Sequence, residues 1–317
     1  MWRGARLAAV GVTLTGALLQ AACGGQQAGP RGSGQASGQV RADGSSTVAP
    51  LTSAAAELFR SANPNVNVTV ATSGTGGGFE QFCSGNTDIS NASRAIEDEE
   101  KARCQSAGIE FTELVVANDA LTVVVNSANN WANCLTVEQL KTIWSPESER
   151  KVTNWNQVDP SFPDVPLGLF GPGTDSGTFD YFTDEINGKE GASRTDYSAS
   201  EDDNVLVQGV QGARGATTYF GYTYFEENQA KLKAVQVNGG RGCVPPSAET
   251  VQNSTYVPLA RPLFIYVNNE SFQRPEMAEF VRFYAGQIDQ IAGAAQFVQL
   301  NEEQKTKLKA TVDGLAA

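Results

Sequence analysis

Three short stretches place small hydroxyl and glycine residues directly ahead of an amphipathic helix pattern. They are "DGSSTVAP" (43–50), "TSGTGGGF" (72–79) and "GTDSGTFDYF" (173–182). The chemistry such turns support is the holding of an oxyanion. The first N–H groups of a helix have no partner within it, and the positive end of the helix dipole lies there. Ser and Thr hydroxyls add donors, and glycine lets the backbone approach closely. A single turn of this kind is ordinarily a cap. Three in one chain are harder to dismiss, because together they can converge on one anion.

Covalent chemistry fits the same residues poorly. The chain contains no histidine, which removes Ser-His-Asp and Cys-His nucleophiles, His-containing zinc sites and the commonest general base. "GTGGGF" is not followed by the Gly-Lys-Ser/Thr of a phosphate loop. Ser176 has Asp175 before it and Gly177 directly after, so it is not in a G-x-S-x-G elbow. A hydrolase using Ser176 is therefore the weakest reading. No enzyme activity, cofactor or metal is expected.

The elements that position these turns follow from pattern. In 317 residues, 40% apolar and 18% charged, there is room for two domains. Val48, Leu51, Ala55, Leu58 and Phe59 share one helical face, with Pro50 tolerated only in the first turn, which puts the helix start near Ser46 or Thr47. Val66, Val68 and Val70 alternate as a strand, and a helix carrying Phe79 and Phe82 follows. This βαβα order predicts an α/β domain with a largely parallel sheet. Two apolar strands, 120–130 and 261–271, read as partners across the chain. The chain then leaves lobe one near residue 118, builds lobe two and returns near 257. The expected division is lobe one at 40–118 plus 257–317 and lobe two at 119–256, with a cleft between them. Trp144 and Trp155 read as packing residues of lobe two.

The formal charge is −12, and loss of residues 1–22, which carry Arg3 and Arg6 and no acid, would make it −14. An acidic surface argues against nucleic acid as a partner. It does not forbid a small anion, because distant charge is screened over roughly 8 Å. Residues 1–22 read as a signal peptide: a basic start, an apolar Leu7–Leu19, and "LLQAAC" before Cys23. This resembles a bacterial lipoprotein signal, departing from it at Gln20, and implies cleavage and lipidation at Cys23. Residues 23–39, rich in Gly, Gln and Ser, read as a flexible tether. The expected location is the outer face of the cytoplasmic membrane or the periplasm, as a lipid-anchored monomer. Four further cysteines in an exported chain suggest two disulfides in one of three pairings. The preferred pairing is Cys83–Cys104, a short loop, with Cys134–Cys243, a long one.

"GSSTVAPL", "SGTGGGFEQFC", "TDISNASRAI", "GPGTDSGTFDYF" and "EDDNVLVQGV" together resemble the PstS-type phosphate-binding proteins of bacterial phosphate ABC importers, in order from about residue 40 to 290. The resemblance implies a two-lobed type II periplasmic binding-protein fold, two interlobe crossovers and a central ligand cleft. It implies inorganic phosphate as ligand and ABC permease subunits as partners. It implies donors at Ser45, Ser46 and Thr47, at Ser73, Gly74 and Thr75, at Ser176, Gly177 and Thr178, and at Arg94. Some family members carry Asp where Arg94 stands and an Arg ahead of the lobe-two turn, where this chain has Pro172. That departure bears on selectivity. Phosphate keeps a proton near neutral pH and sulfate does not, so a buried carboxylate would accept the P–OH and repel a fully ionised anion. The candidates are Asp175, Asp88 and Asp202 or Asp203. A binding protein or sensor for another tetrahedral oxyanion is the alternative.

Overall fold

The computed structural model describes residues 36–315 apart from Asp175; the signal, Cys23 and most of the expected tether lie outside them. The first half runs β1 (Gly38–Gly44), α1 (Ala49–Ala62), β2 (Val66–Val70), α2 (Gly74–Cys83), β3 (Ile89–Ala92), α3 (Asp98–Ser106) and β4 (Phe111–Asn126). The middle continues with β5 (Cys134–Thr136), α4 (Val137–Trp144), β6 (Gly168–Gly171), α5 (Gly177–Phe182), β7 (Ser198–Ala199), α6 (Asp203–Gly212), β8 (Ala216–Gly221) and α7 (Tyr222–Asn228). It closes with β9 (Leu232–Ala234), β10 (Gln236–Asn238), β11 (Cys243–Val244), α8 (Ala248–Gln252), β12 (Ala260–Asn268), α9 (Pro275–Gly286), α10 (Ile288–Ala294) and α11 (Glu302–Gly314). Gly38 and Gln39 belong to β1, and so to the sheet rather than to the tether; Gly38 pairs with Val66.

Among the described residues the main sheet runs β2-β1-β3-β12-β4-β8-β6-β7, with β9 beside β4. Its two flanks are parallel: β1 with β2 and β3, and β6 with β7 and β8. The centre is antiparallel, because β12 enters between β3 and β4 against both. The sheet is thus mixed, not largely parallel. The reason is connectivity: a chain that leaves one lobe and returns to it must lay two opposed strands side by side.

Strand β4 carries the outward crossing. Its first part pairs with β12, from Phe111 opposite Asn268 to Ala120 opposite Ala260, and its second part pairs with β8 and β9. The partnership of the two apolar strands is therefore real, but β12 meets the residues before 121 rather than 121–130. Asn118 and Asp119 concealed this continuity, since both are turn-type residues. Here Asn118 bonds the Gln299 carbonyl and Gln304, and Asp119 pairs with Arg261.

Two cores lie on either side of this pair. One gathers Val40, Leu51, Phe59, Ile89, Phe280 and Tyr284 under α1 and α9. The other gathers Trp144, Trp155, Phe182 and Tyr219, all fully buried, with Phe182 stacked on Tyr219 at 3.7 Å between ring centroids. Burial of such rings, at roughly 25 cal/mol per Å² of apolar surface, fixes the helices that present the turns. The disulfides are Cys83–Cys104 and Cys134–Cys243.

Candidate anion site

The turns on the β1, β2 and β3 side open at the carboxyl ends of three parallel strands, where open α/β sheets place ligand crevices. A cleft of about 600 Å³ lies there. One wall consists of Ser45, Ser46 and Thr47 from the first turn, Ser73, Gly74 and Thr75 from the second, and Ser93 and Arg94 after β3. The opposite wall is Gly177, Asp180 and Tyr181 of α5, with Asp184, Glu185 and Glu190 beyond it, and the floor is Arg261, Pro262 and Phe264 of β12. A neighbouring hollow of about 420 Å³ shares Glu185 but is lined by no cation.

The first wall is built so that its donors stay unspent. The N-cap of α1 is Val48 and that of α2 is Ser73, and neither helix has a side-chain cap bond. The helix thus starts at Ala49, later than its sequence pattern indicates, and among the described residues the hydroxyls of Ser45, Ser46 and Thr47 have no hydrogen-bond partner. Buried Asp43 ties the two turns together, its Oδ1 accepting the N–H of Gly44 (2.7 Å) and of Ser73 (3.0 Å). Gly44 has φ +135°, and a β-carbon on it would collide with the Asn91 carbonyl. Gly78 of α2 packs against Gly44, again with no room for a β-carbon. The run of glycines in "GTGGGF" thus serves close packing as well as donor access. Thr75 Oγ1 lies 3.1 Å from Ser93 Oγ and accepts the Ser93 N–H at 3.3 Å, joining the second turn to β3.

Arg94 faces the cleft but is strongly engaged by α3. Its Nη1 and Nη2 donate to the two oxygens of Glu100 at 2.9 and 2.8 Å, Nη1 also reaches the Ala95 carbonyl, and Nε stands 3.2 Å from Glu97. These bonds raise the Arg94 pKa above its ordinary value, the Glu100 hydrogen bond first. Burial works to raise the Glu100 carboxyl, but the Arg94 bond, the Glu97 N–H and the Arg94 and Arg103 charges hold it below its usual range. The Cys83–Cys104 bridge ties α2, which carries the second turn, to α3, which carries the Glu100 partner of Arg94.

The opposite wall differs. Ser176 caps α5, its Oγ accepting the Thr178 N–H at 3.2 Å. Gly177 faces the cleft, whereas Ser176 and Thr178 are not among its lining residues. The walls approach closely here: a β-carbon on Gly177 would stand 3.2 Å from Thr47 Oγ1. Phe179, Phe182 and Ile186 are buried beneath the turn. Burial pushes the Asp180 carboxyl up, aided by Glu190 and opposed by Arg261. Glu185 is likewise raised by burial and by Asp184.

The carboxylate candidates sort by position. Asp88 sits at the far end of β3, where it accepts the Arg41 N–H (2.8 Å) and the Ser271 hydroxyl (2.9 Å) and pairs with Arg274 at 2.7 Å. It fixes a strand end and takes no part in the cleft. Asp202 caps α6 through the Asn204 N–H, and Asp203 stands in the first turn of that helix; neither lines the cleft. Asp175 lies outside the described residues. Sequence reasoning missed Ser93, Asp180 and Arg261. Ser93 and Asp180 sit inside the quoted "NASRAI" and "GPGTDSGTFDYF" and were within reach.

A family model described as a PBP superfamily domain matches residues 29–287. The phosphate-binding protein PstS of Staphylococcus saprophyticus is 40% identical over 308 residues, which cover 96% of this chain and 93% of that protein. The chain belongs to the PstS-type family. The protein SphX of Synechococcus elongatus is 51% identical over 262 residues, 82% of this chain and 77% of its own length. A solved structure of "a possible phosphate binding protein" from Planctomyces limnophilus covers 89% of this chain and 100% of its own, with TM-score 0.84 and 45% identity. PstS-type architecture accounts for the two lobes, the two crossing strands and the cleft between them. Where the sequence pattern of some PstS-type members has an Arg ahead of the lobe-two turn, Pro172 here uses its carbonyl to accept the Tyr197 hydroxyl at 2.9 Å.

Proposed function

We propose that this chain binds inorganic phosphate in the cleft, without turnover, and delivers it to an ABC permease. One observation carries the reading most: two helix-start turns of a PstS-type chain expose uncapped hydroxyls and N–H groups into one cleft that also holds guanidinium groups. The ligand set is Ser45, Ser46, Thr47, Ser73, Gly74, Thr75, Arg94, Ser176, Gly177 and Thr178. Ser176 and Thr178 act through the capped turn that presents Gly177, and Ser176 is not a nucleophile. Asp175 is kept as a candidate to accept the phosphate proton, and Asp180, a carboxylate lining the cleft beside Gly177, joins it. Lobe one comprises 38–118 plus 257–317, extended by the first two residues of β1, and 119–256 forms lobe two.

The magnitudes are adequate. Hydrogen bonds to charged groups contribute about 1.5–3 kcal/mol each. Eight of them exceed the roughly 8 kcal/mol of micromolar binding, and the surplus offsets desolvation of a multivalent anion and closure of the lobes. The protein works outside the cytoplasm, as a monomer anchored by lipid at Cys23 after removal of residues 1–22. Equilibrium titration with phosphate, with sulfate as competitor from pH 5 to 8, tests the ligand. Saturable phosphate binding that equimolar sulfate does not displace is expected; equal displacement by sulfate would leave a general oxyanion receptor instead.

A further inference from the structure

The cleft contains a second guanidinium, and its hydrogen bonding is the opposite of that of Arg94. Arg261 opens β12 directly across from Asp119 on β4, so both residues of the pair sit on the strands that join the lobes. Its Nε bonds Asp119 Oδ2 at 3.1 Å. Its plane lies over the ring of Tyr181, 3.6 Å from the centroid, and the Tyr181 hydroxyl is fixed in turn by the Pro258 carbonyl at 2.8 Å. The fork is thus held from lobe two's ligand helix and from the crossing strands together. Yet among the described residues neither Nη group has a hydrogen-bond partner. The side chain is 20% exposed and lines the cleft alongside Ser45, Thr47, Thr75 and Gly177.

Donor counting separates the two arginines. A guanidinium carries five N–H donors. On Arg94, Glu100 and Ala95 accept three of them and Glu97 faces the Nε in an ion pair, which leaves one Nη2 hydrogen uncommitted. On Arg261, Asp119 takes one and four remain. Polar groups in such sheltered places are normally paired, and a pre-oriented fork matches two oxygens of a tetrahedral oxyanion. Asp119 stands behind the fork, and its burial keeps the pair from opening freely to water. Asp180 and Glu185 feel the Arg261 charge from the lobe-two wall but do not contact it.

We infer that Arg261 is the cleft's principal anion-binding guanidinium, its two Nη groups bonding two oxygens of the phosphate, with Arg94 in a lesser role held by Glu100 and Glu97. This rests on the phosphate reading above. It places the ligand's main charge contact at the junction of the two crossing strands, where occupancy and lobe closure are felt by the same side chain.

The test separates ligand binding from structural neutralisation of Asp119. Phosphate is titrated calorimetrically into the full chain as wild type, as Arg261→Lys, and as the double variant Arg261→Gln/Asp119→Asn, with Tm measured for each. The double variant removes both charges and keeps a cross-strand hydrogen bond. Expected are a Tm near that of wild type and affinity lowered by about a hundredfold or more. Arg261→Lys keeps the charge against Asp119 but loses the fork, and about tenfold or greater weakening is expected. Affinity within about threefold of wild type in either variant overturns the assignment. Failure of the wild type itself to bind phosphate would instead bring down the functional reading beneath it.

Discussion

The two walls of the cleft use the same sequence motif to opposite ends. On the first wall, hydroxyl residues precede α1 and α2, yet neither helix takes a side-chain cap, so Ser45, Ser46 and Thr47 hold their donors toward the cleft. On the second wall, Ser176 caps α5 and only Gly177 of that turn reaches the surface of the cleft. The first wall supplies donors; the second supplies a close backbone, a row of carboxylates and the ring that orients Arg261. A Ser/Thr-Gly helix start is therefore not one device. What decides its use is whether the hydroxyl spends its oxygen on a cap bond, as Ser176 does and Ser73 does not.

Substitutions break this comparison in graded ways. The largest effect is expected from Gly177→Leu, which fills the gap next to Thr47 and the space an anion needs. Phosphate affinity should fall by about a thousandfold or more with Tm little changed, as read by calorimetry and thermal melting. Gly44→Ala comes next and acts on stability, since the new methyl meets the Asn91 carbonyl at a φ that suits glycine. A loss of about 3 kcal/mol in denaturant unfolding is expected. Thr47→Val, on the donor wall, should weaken phosphate by roughly tenfold to a hundredfold and leave Tm unmoved. Ser176→Ala, on the capping wall, should reverse the balance, with about 1 kcal/mol lost in unfolding free energy. If Thr47→Val destabilised the fold and Ser176→Ala did not, the contrast between the walls would be wrong.

The smallest effect concerns Asp203. Burial, with the charges of Asp202 and Glu201, pushes its pKa up to about 6. A carboxyl whose folded pKa exceeds its unfolded value costs stability as it ionises, so the cost is absent well below the ordinary value of 3.8, grows between that value and about 6, and is complete above it. Asp203→Asn should raise stability by about 1 kcal/mol at about pH 8 and leave it nearly unchanged at about pH 3. An equal gain at both pH values would show that the charge is not the cause.

Much of the architecture was readable because it is carried by local pattern. The alternating Val66, Val68 and Val70, the helical face from Leu51 to Phe59 and the two crossings all follow from periodicity. The long β4 was hidden by Asn118 and Asp119, whose partners Gln299, Gln304 and Arg261 are 142 or more positions away. Asp88 and Asp203 were credible proton acceptors by residue type, and only their place at a strand's far end and at a helix start removed them from the cleft. Arg261 shows the same limit. In sequence it is the polar start of an apolar strand, and nothing local indicates that Tyr181 and Asp119 hold its fork open beneath two turns more than 180 residues earlier.

The most direct test of the account is a calorimetric titration of the wild-type chain with inorganic phosphate at neutral pH, repeated in equimolar sulfate. The account predicts one phosphate bound per chain, with an affinity that sulfate leaves unchanged. Absence of a phosphate binding isotherm under conditions where the chain is folded would contradict it.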